Sequence, residues 1–415
     1  MKSIHHFKTM IVLLFLFWFG VSGCLIRSSS GAPTLLPYIP TSTSTPSLTP
    51  APTSTPTPTH GGIALPLILQ AEPQTSPSPE IVSTATLTST ATLVPTTTPT
   101  PAPAPQITLL FTGVIVPARC VQSAIDARGD AEYIYDEVRE TISSADLAVG
   151  TLNTSLSDLS THTGCIETYV LVSDSRSAVA AANAGFDMMS VATNHIKNCN
   201  GASCADSYNR AFLDTLDNLR LNNILPVGAG VNHEDALQTV VVEVNGIRFG
   251  FVSLGMVEPN AFAGVDSPGI AELTDENLEA AIANARGEAD VVIVMPHWGP
   301  EDTSEPNSYQ LHFAQVAVEA GADVVVGNHT HVVQAIQQIN GIDVFYGLGN
   351  FVFDQTWDLA HQQGVMLQLH FSGAEYTGYD LIPTHVDGDG TLHIAGSEEA
   401  AAILERINIA SEMLK

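Results

Sequence analysis

The stretch "VVVGNHTHVVQ", residues 324–334, runs three valines into a Gly-Asn pair and then sets two histidines two residues apart. A short continuous apolar run of this kind suits a strand buried on both faces, and the polar residues after it fall at its C-terminal end. Neutral imidazole binds divalent metals well, and a His-x-His turn at a strand end can aim both rings into one site. Alone, His329 and His331 read equally as the polar end of a buried strand, so the rest of the chain has to decide.

The pattern recurs. From residue 107 onward, short apolar runs alternate with helical patterns, as in an α/β layered fold. The predicted strands are Ile107 to Thr112, Leu147 to Gly150, Met188 to Val191, Val240 to Val244, Phe249 to Ser253, Val291 to Met295, Val324 to Gly327 and Val344 to Gly347. Helical spacing predicts helices over Ala131 to Ser144, Ser177 to Ala184 and Ser207 to Leu221. Thr274 reads as the N-cap of "DENLEAAIANAR", and the helix from Ser308 to Ala320 should close at Gly321. Asn245-Gly246 and Asn340-Gly341 are hairpin signals. Residues 364–394 alternate like sheet, and Glu398 to Leu414 reads as a closing helix.

Five polar groups follow these strands: Gly113-Val114, Thr151-Leu152-Asn153, Thr193-Asn194-His195, His297-Trp298-Gly299 and His329-Thr330-His331. Strand C-terminal ends in an open α/β sheet converge on one edge, where ligand sites form. With His195 and His297 beside His329 and His331, the histidine pair becomes part of a candidate site. Asn194 can add a neutral oxygen ligand, and His195 a proton-transfer group.

Composition separates this region from what precedes it. Seventeen of the 25 prolines lie before residue 106, with only Glu72 and Glu80 as acidic residues. Lys2 and Lys8 precede the apolar run Met10 to Phe19 and then Val21-Ser22-Gly23-Cys24, the order of an export signal over residues 1–23. Cysteine after two small residues resembles a bacterial lipobox, which implies lipidation at Cys24 and a location on the extracytoplasmic face of the cell membrane. An uncleaved anchor or an ordinary secretory signal are the alternatives. Residues 24–105 are dominated by Thr, Ser, Pro and Ala with no apolar period and read as an extended stalk. The patch "GGIALPLILQ", 61–70, interrupts it without an assigned role.

The remainder holds 41 of the 43 acidic and 11 of the 14 basic side chains, which argues against nucleic acid or anionic lipid as partner. Four of the five cysteines lie here. In an exported domain an even number favours disulfides, with three connectivities open. Cys199 with Cys204 would close a short loop and leave Cys120 with Cys165. A cysteine zinc site is the competitor, although no Cys-x-x-Cys occurs.

The runs "GFDMMSVATNH", "VGAGVN", "VIVMPHWGPE", "GADVVVGNHTHVVQ" and "FYGLGNFVFDQ" resemble the CapA family of capsule synthesis, or poly-gamma-glutamate biosynthesis, proteins, in the family's order over about residues 107–355. The resemblance implies a calcineurin-like metallophosphoesterase fold: a sandwich of two mixed β-sheets flanked by α-helices, in α-β-β-α layers. It would span residues 106–395, with 396–415 as a C-terminal helix. It also implies a two-metal centre, but this chain departs from the pattern. Val114 stands where the family has an aspartate, Asn153 where it has a glutamate, and Asn198 at a nearby acidic position. His297, Glu301, His329, His331 and Asn350 match.

Two close divalent ions need carboxylates or a bridging hydroxide to offset their repulsion. The expectation is therefore one divalent metal (manganese, zinc or magnesium) or none, on Asn194, His297 and His329, with His331 the remaining ligand of a lost second position. His195 and Glu301 are the candidate catalytic residues. Function is expected in capsule or surface-polymer biosynthesis, with the polymer or its assembly complex as partner. The alternative is a non-catalytic binding or scaffolding relative.

Overall fold

Along the strand Gln106–Ile115, Ile107, Leu109 and Phe111 join one apolar cluster, whereas Leu110 joins another. Side chains alternate across a strand, so this strand has core on both faces. Val291–His297 does the same: Val291, Ile293 and Met295 enter the cluster of Leu109 and Phe111, and Val292 and Val294 a third one. Two sheets therefore face each other across a shared core. These are features of a computed structural model that describes residues 103–204 and 208–415; the expected export signal, Cys24, the patch 61–70 and the stalk up to residue 102 lie outside the described residues.

One sheet has eight strands. Its path runs Leu392–Ile394, Glu375–Val386, Gln363–Ser372, Gln106–Ile115, Leu147–Leu152, Met188–Ser190, Leu225–Val227, and Asn350–Val352 pairs with the end of Gln106–Ile115. The four strands from Gln106–Ile115 to Leu225–Val227 are parallel, and the others on that path antiparallel. The second sheet has six, ordered Ile336–Ile339, Ile342–Phe345, Val324–Val326, Val291–His297, Ile247–Gly255, Val240–Val244, with a parallel centre and antiparallel edges. Each edge strand is joined by a predicted hairpin. Asn245-Gly246 and Asn340-Gly341 have φ of 52°, 85°, 51° and 86°, as two-residue turns with left-handed central positions require.

Helices cover both outer faces. Arg176–Ala184 and Tyr208–Leu221 bury Ala178, Ala181, Phe212 and Leu216 with Leu110, Ala148 and Met189 of the first sheet. Asp275–Glu288 and Ser308–Ala320 bury Leu278, Ile282, Phe313 and Ala317 against Val252, Val292 and Val325 of the second. The layers are α-β-β-α, as expected. Thr274 caps its helix by accepting from Asn277 N at 3.2 Å. Asn307 and Gln310 form a reciprocal capping box ahead of a helix that stops at Gly321. The last helix, Ser397–Glu412, sends Ile403 and Ile407 into the core between the sheets.

One helix departs from expectation. Residues 131–144 form a 3-10 turn, Glu132–Tyr135, and a short helix, Arg139–Ser143. Tyr133, Ile134 and Tyr135 are all buried, and three consecutive side chains cannot share one face of an α-helix. The helix Cys120–Arg128, not foreseen, follows the first strand directly.

Phe251 is fully buried between the sheets, so Phe251→Ala should cost about 3–5 kcal/mol of unfolding free energy, whereas Leu221→Ala, at an exposed helix end, should stay within about 0.5 kcal/mol. Denaturant midpoints measure both; equal losses would refute the two-sheet core.

Candidate functional site

The C-terminal ends of parallel strands from both sheets meet at one edge. His297 is the last residue of Val291–His297, and Asn328 to His331 follow Val324–Val326 directly. Asn194 and His195 come a few residues after Met188–Ser190, and Asn153 directly after Leu147–Leu152. Val114 and Thr151 lie inside their strands, paired with one another, and not in loops after them.

The turn at residues 328–331 is bolted across the sandwich. Asn328 Nδ2 donates to Thr151 Oγ1 (2.8 Å) and to the carbonyl of Thr112 (3.3 Å), both on the other sheet. His329 and His331 then take φ of 113° and 60°. Non-glycine residues held there cost on the order of 1–3 kcal/mol each, a cost that the surrounding packing must offset and that often marks a functional turn. Both rings are buried.

Three donor atoms converge. His297 Nε2 lies 3.0 Å from Asn194 Oδ1 and 3.1 Å from His329 Nδ1. Donors about 2.0–2.1 Å from one small divalent ion stand roughly 3 Å apart, so the spacing fits a single ion. Proton accounting agrees: Nε2 has one proton at most, while both neighbours face it. His297 Nδ1, however, is buried without a partner, where a metal-binding histidine usually has its second nitrogen held. The set fits one ion, held by neutral donors only.

The other half does not fit a second ion. Val114 is fully buried in a small apolar cluster with Val116, Ala118, Leu171 and Phe353. Asn153 Oδ1 accepts from His195 N at 2.9 Å, and its amide nitrogen is buried without a partner. His331 Nδ1 must donate to Asn350 Oδ1 (2.8 Å), because the amide nitrogen of Asn350 is committed to Gln355 Oε1 and the carbonyl of His361. That leaves His331 Nε2 bare, 3.9 Å from Glu301 Oε1, which lies equally far from His329 Nε2.

His195 is oriented in the same way. Its Nδ1 donates to Asn198 Oδ1 at 3.0 Å, so Nε2 is unprotonated in the neutral ring. Asn198 also accepts from Leu171 N; it sets the tautomer rather than ligating. Burial lowers the pKa of all four rings: His297 falls well below its ordinary value, His329 to about 3, His331 to about 4, and His195 falls also. The neighbouring imidazoles depress His297 and His329 further. Burial raises Glu301. At neutral pH the edge presents uncharged imidazoles whose lone pairs are free to bind a cation.

A cavity of about 440 Å³ opens beside His195, Glu301 and His331. Arg119 borders it, buried and ion-paired with Asp354. Arg128 lies elsewhere, paired with Asp389 and placed over the Tyr133 ring. Sequence reasoning missed Tyr169, Trp357 and Gln355 on its border, and His361, whose ring nitrogens contact Asp302 and Asp358. The signal available was the polar and aromatic loop "DQTWDLAHQ" after Asn350. Both cysteine pairs are disulfides, Cys120–Cys165 and Cys199–Cys204. The one cluster of three His, Cys, Asp or Glu groups with metal-like spacing among the described residues is Asp126, His162 and Asp174, both of whose carboxylates pair with Arg176.

The family model described as "Bacterial capsule synthesis protein PGA_cap" matches residues 108–355. The chain belongs to that family. It is 28% identical over 278 residues to the PGA biosynthesis protein CapA of Bacillus subtilis (strain 168), covering 66% of this chain and 70% of that protein. To the capsule biosynthesis protein CapA of Bacillus anthracis it is 28% identical over 290 residues, 68% of each. A solved structure of NAD nucleotidase from Haemophilus influenzae shares 12% identity at a TM-score of 0.40, covering 74% of this chain and 56% of that one.

The buried rings give a pH prediction. Below pH 6.5 the unfolded chain takes up protons that folded His329 and His331 refuse until about pH 3 and 4. Their contribution is therefore fully present above pH 6.5 and is lost as pH falls from there towards 4, by about 2 kcal/mol per ring at pH 5. Unfolding free energies at pH 7 and 5 should show this drop in the natural chain and a smaller one in His329→Gln/His331→Gln. An equal drop in both would contradict the burial argument.

Proposed function

We propose that this member of the family works outside the cytoplasm, lipid-anchored through Cys24, in assembly of a capsule or poly-gamma-glutamate-like surface polymer, at a site that holds at most one divalent ion. The observation that carries the site reading is the convergence of Asn194, His297 and His329 beside a half-site whose carboxylates are replaced by Val114 and Asn153. The resemblance to proteins named for capsule and PGA biosynthesis supports the process. Support for the location is the signal-like order of residues 1–23 and the stalk composition that follows.

An ion on the Asn194 side would supply polarisation of a phosphoryl or acyl oxygen. The chain's own groups do the rest. His195, with Nδ1 held by Asn198, offers a bare Nε2 that can take a proton from an incoming hydroxyl or water. Glu301, 42% exposed and 3.9 Å from the Nε2 atoms of His329 and His331, puts a carboxylate at the open side of the histidine pair.

A second reading, a non-catalytic scaffold, draws on the same Val114 cluster, because its hydrocarbon fills the place of a ligand. Metal analysis separates the two. After exposure to manganese or zinc, about one ion per purified molecule, lost in His297→Ala/His329→Ala, supports the metal site, and no bound ion supports the scaffold. Natural protein that carries two ions, or an ion that the double variant retains, would sink the one-ion reading.

Val114→Asp/Asn153→Glu should be less stable than the natural chain in chelator, because it buries carboxylates, and should regain stability when manganese is added. Melting temperatures with and without metal read this out. The proposed process has a separate test: deletion of the gene should lower cell-associated surface polymer, and unchanged polymer would refute it.

A further inference from the structure

The cavity beside His195 and His331 carries two largely exposed aromatic side chains, one of them, Trp357, set against the His361 ring. Tyr169 is 87% exposed and Trp357 59%, yet both border it. A concave site lined by aromatics with a few converging polar groups has the make-up of a ligand pocket. Their loops are also fixed in place, which an incidental surface loop does not need.

Arg119 is the brace. Its Nη1 donates to the carbonyl of Thr168 at 3.1 Å, beside Tyr169, while its Nε holds Asp354 at 3.0 Å, in the loop of Trp357. The Cys120 N–H also donates to Asp354 Oδ2 at 3.0 Å, and the Cys120–Cys165 disulfide ties down the Tyr169 loop a second time. Leu171 N donates to Asn198 Oδ1, linking that loop to His195. Both rims are thus organised before any ligand arrives, which reduces the ordering cost of binding.

The charges indicate what would fit. Arg119, the one basic residue of the lining, is spent on Asp354. Asp302 is engaged with His361 at 2.7 Å, and Glu301 faces His329 and His331. Because the His329 and His331 imidazoles are uncharged at neutral pH, Glu167, Glu301 and Asp302 leave the lining with carboxylates and no available cation. A polyanion finds no cation here and meets like charge, in a chain whose net charge is −29. Gln355 is buried, with its oxygen taken by Asn350, so its amide nitrogen is left to donate. The lining offers acceptors at Glu167 and His195, a donor at Gln355, and aromatic faces that attract the weakly positive C–H edges of a ring.

We infer that this cleft binds a neutral, hydroxyl-rich carbohydrate chain, stacked on Tyr169 and Trp357, with a hydroxyl brought to His195. The inference rests on the proposed surface-polymer role and, of the capsule and poly-gamma-glutamate-like polymers named there, selects a neutral capsular glycan segment.

Calorimetric titration of the purified chain tests it, with cellotetraose, maltotetraose and chitotetraose as neutral probes, γ-linked tetraglutamate as the anionic one and spermine as the cationic one, at low and high salt. At least one neutral tetrasaccharide should bind with little dependence on salt. Trp357→Ala and Tyr169→Ala should each weaken it roughly ten-fold or more, and Trp357→Phe should restore most of the loss. Both side chains are exposed, so truncation leaves the core intact. Binding of tetraglutamate or spermine in place of the sugars overturns the inference, as does binding of none of the probes or sugar binding that both alanine variants retain. The surface-polymer content of the deletion strain is independent of these outcomes: unchanged polymer refutes the wider role, while a failed titration with reduced polymer refutes only the substrate class.

Discussion

Asn328 is the residue on which the site's geometry depends. It leaves one sheet and donates to Thr151 and Thr112 of the other, and its own oxygen accepts from Leu348 N at 3.4 Å. A buried side-chain amide with both ends committed fixes the separation of two sheets that apolar packing alone would let slide. The left-handed turn at His329 and His331 follows it. Without that anchor, residues with φ of 113° and 60° would relax towards ordinary backbone, and the rings would leave Asn194, His297 and Asn350.

The two halves of the edge then differ for one reason. A carboxylate at position 114 would be buried in hydrocarbon, and burying an ionised group without a cation costs several kcal/mol. The apolar cluster of Val114 with Val116, Leu171 and Phe353 removes that need. The imidazoles require no such offset, because they stay neutral when buried. The neutral histidines and the uncharged residues at positions 114 and 153 thus form one self-consistent arrangement. Asn153 fits it less completely: it keeps the bond to His195 N but leaves an amide nitrogen without a partner.

Much of this was legible in the sequence because it is set by local rules. Alternating and continuous apolar runs placed the strands, Asn-Gly pairs the hairpins, and Thr274 and Gly321 two helix ends. Strand-end convergence brought Asn194, His195, His297, His329 and His331 to one edge. What the sequence hid depends on contacts between distant segments. Residues 131–144 have the composition of a helix, yet burial of Tyr133, Ile134 and Tyr135 together overrides propensity. The role of Arg119 arises from Asp354, 235 positions away, and no local pattern announces it. The partnership of Asn350 with His331 and His361 is likewise invisible until the chain closes on itself.

The division of labour between sheets and loops follows. The sheets supply atoms whose positions cannot vary: His297 is held in a seven-residue ladder with Ile247–Gly255. The loops supply the exposed aromatics at the same edge, and loops need added restraint to hold a shape. Here that restraint comes from a disulfide, a buried guanidinium and the amides of Asn198 and Asn350. Arg119 contributes through two opposed demands. Neutralising Asp354 makes its own burial tolerable, and that same pairing removes it as an attractor for anions. One ion pair therefore sets both the shape of the cleft and its electrical character, so that it is rigid, aromatic-rimmed and short of positive charge.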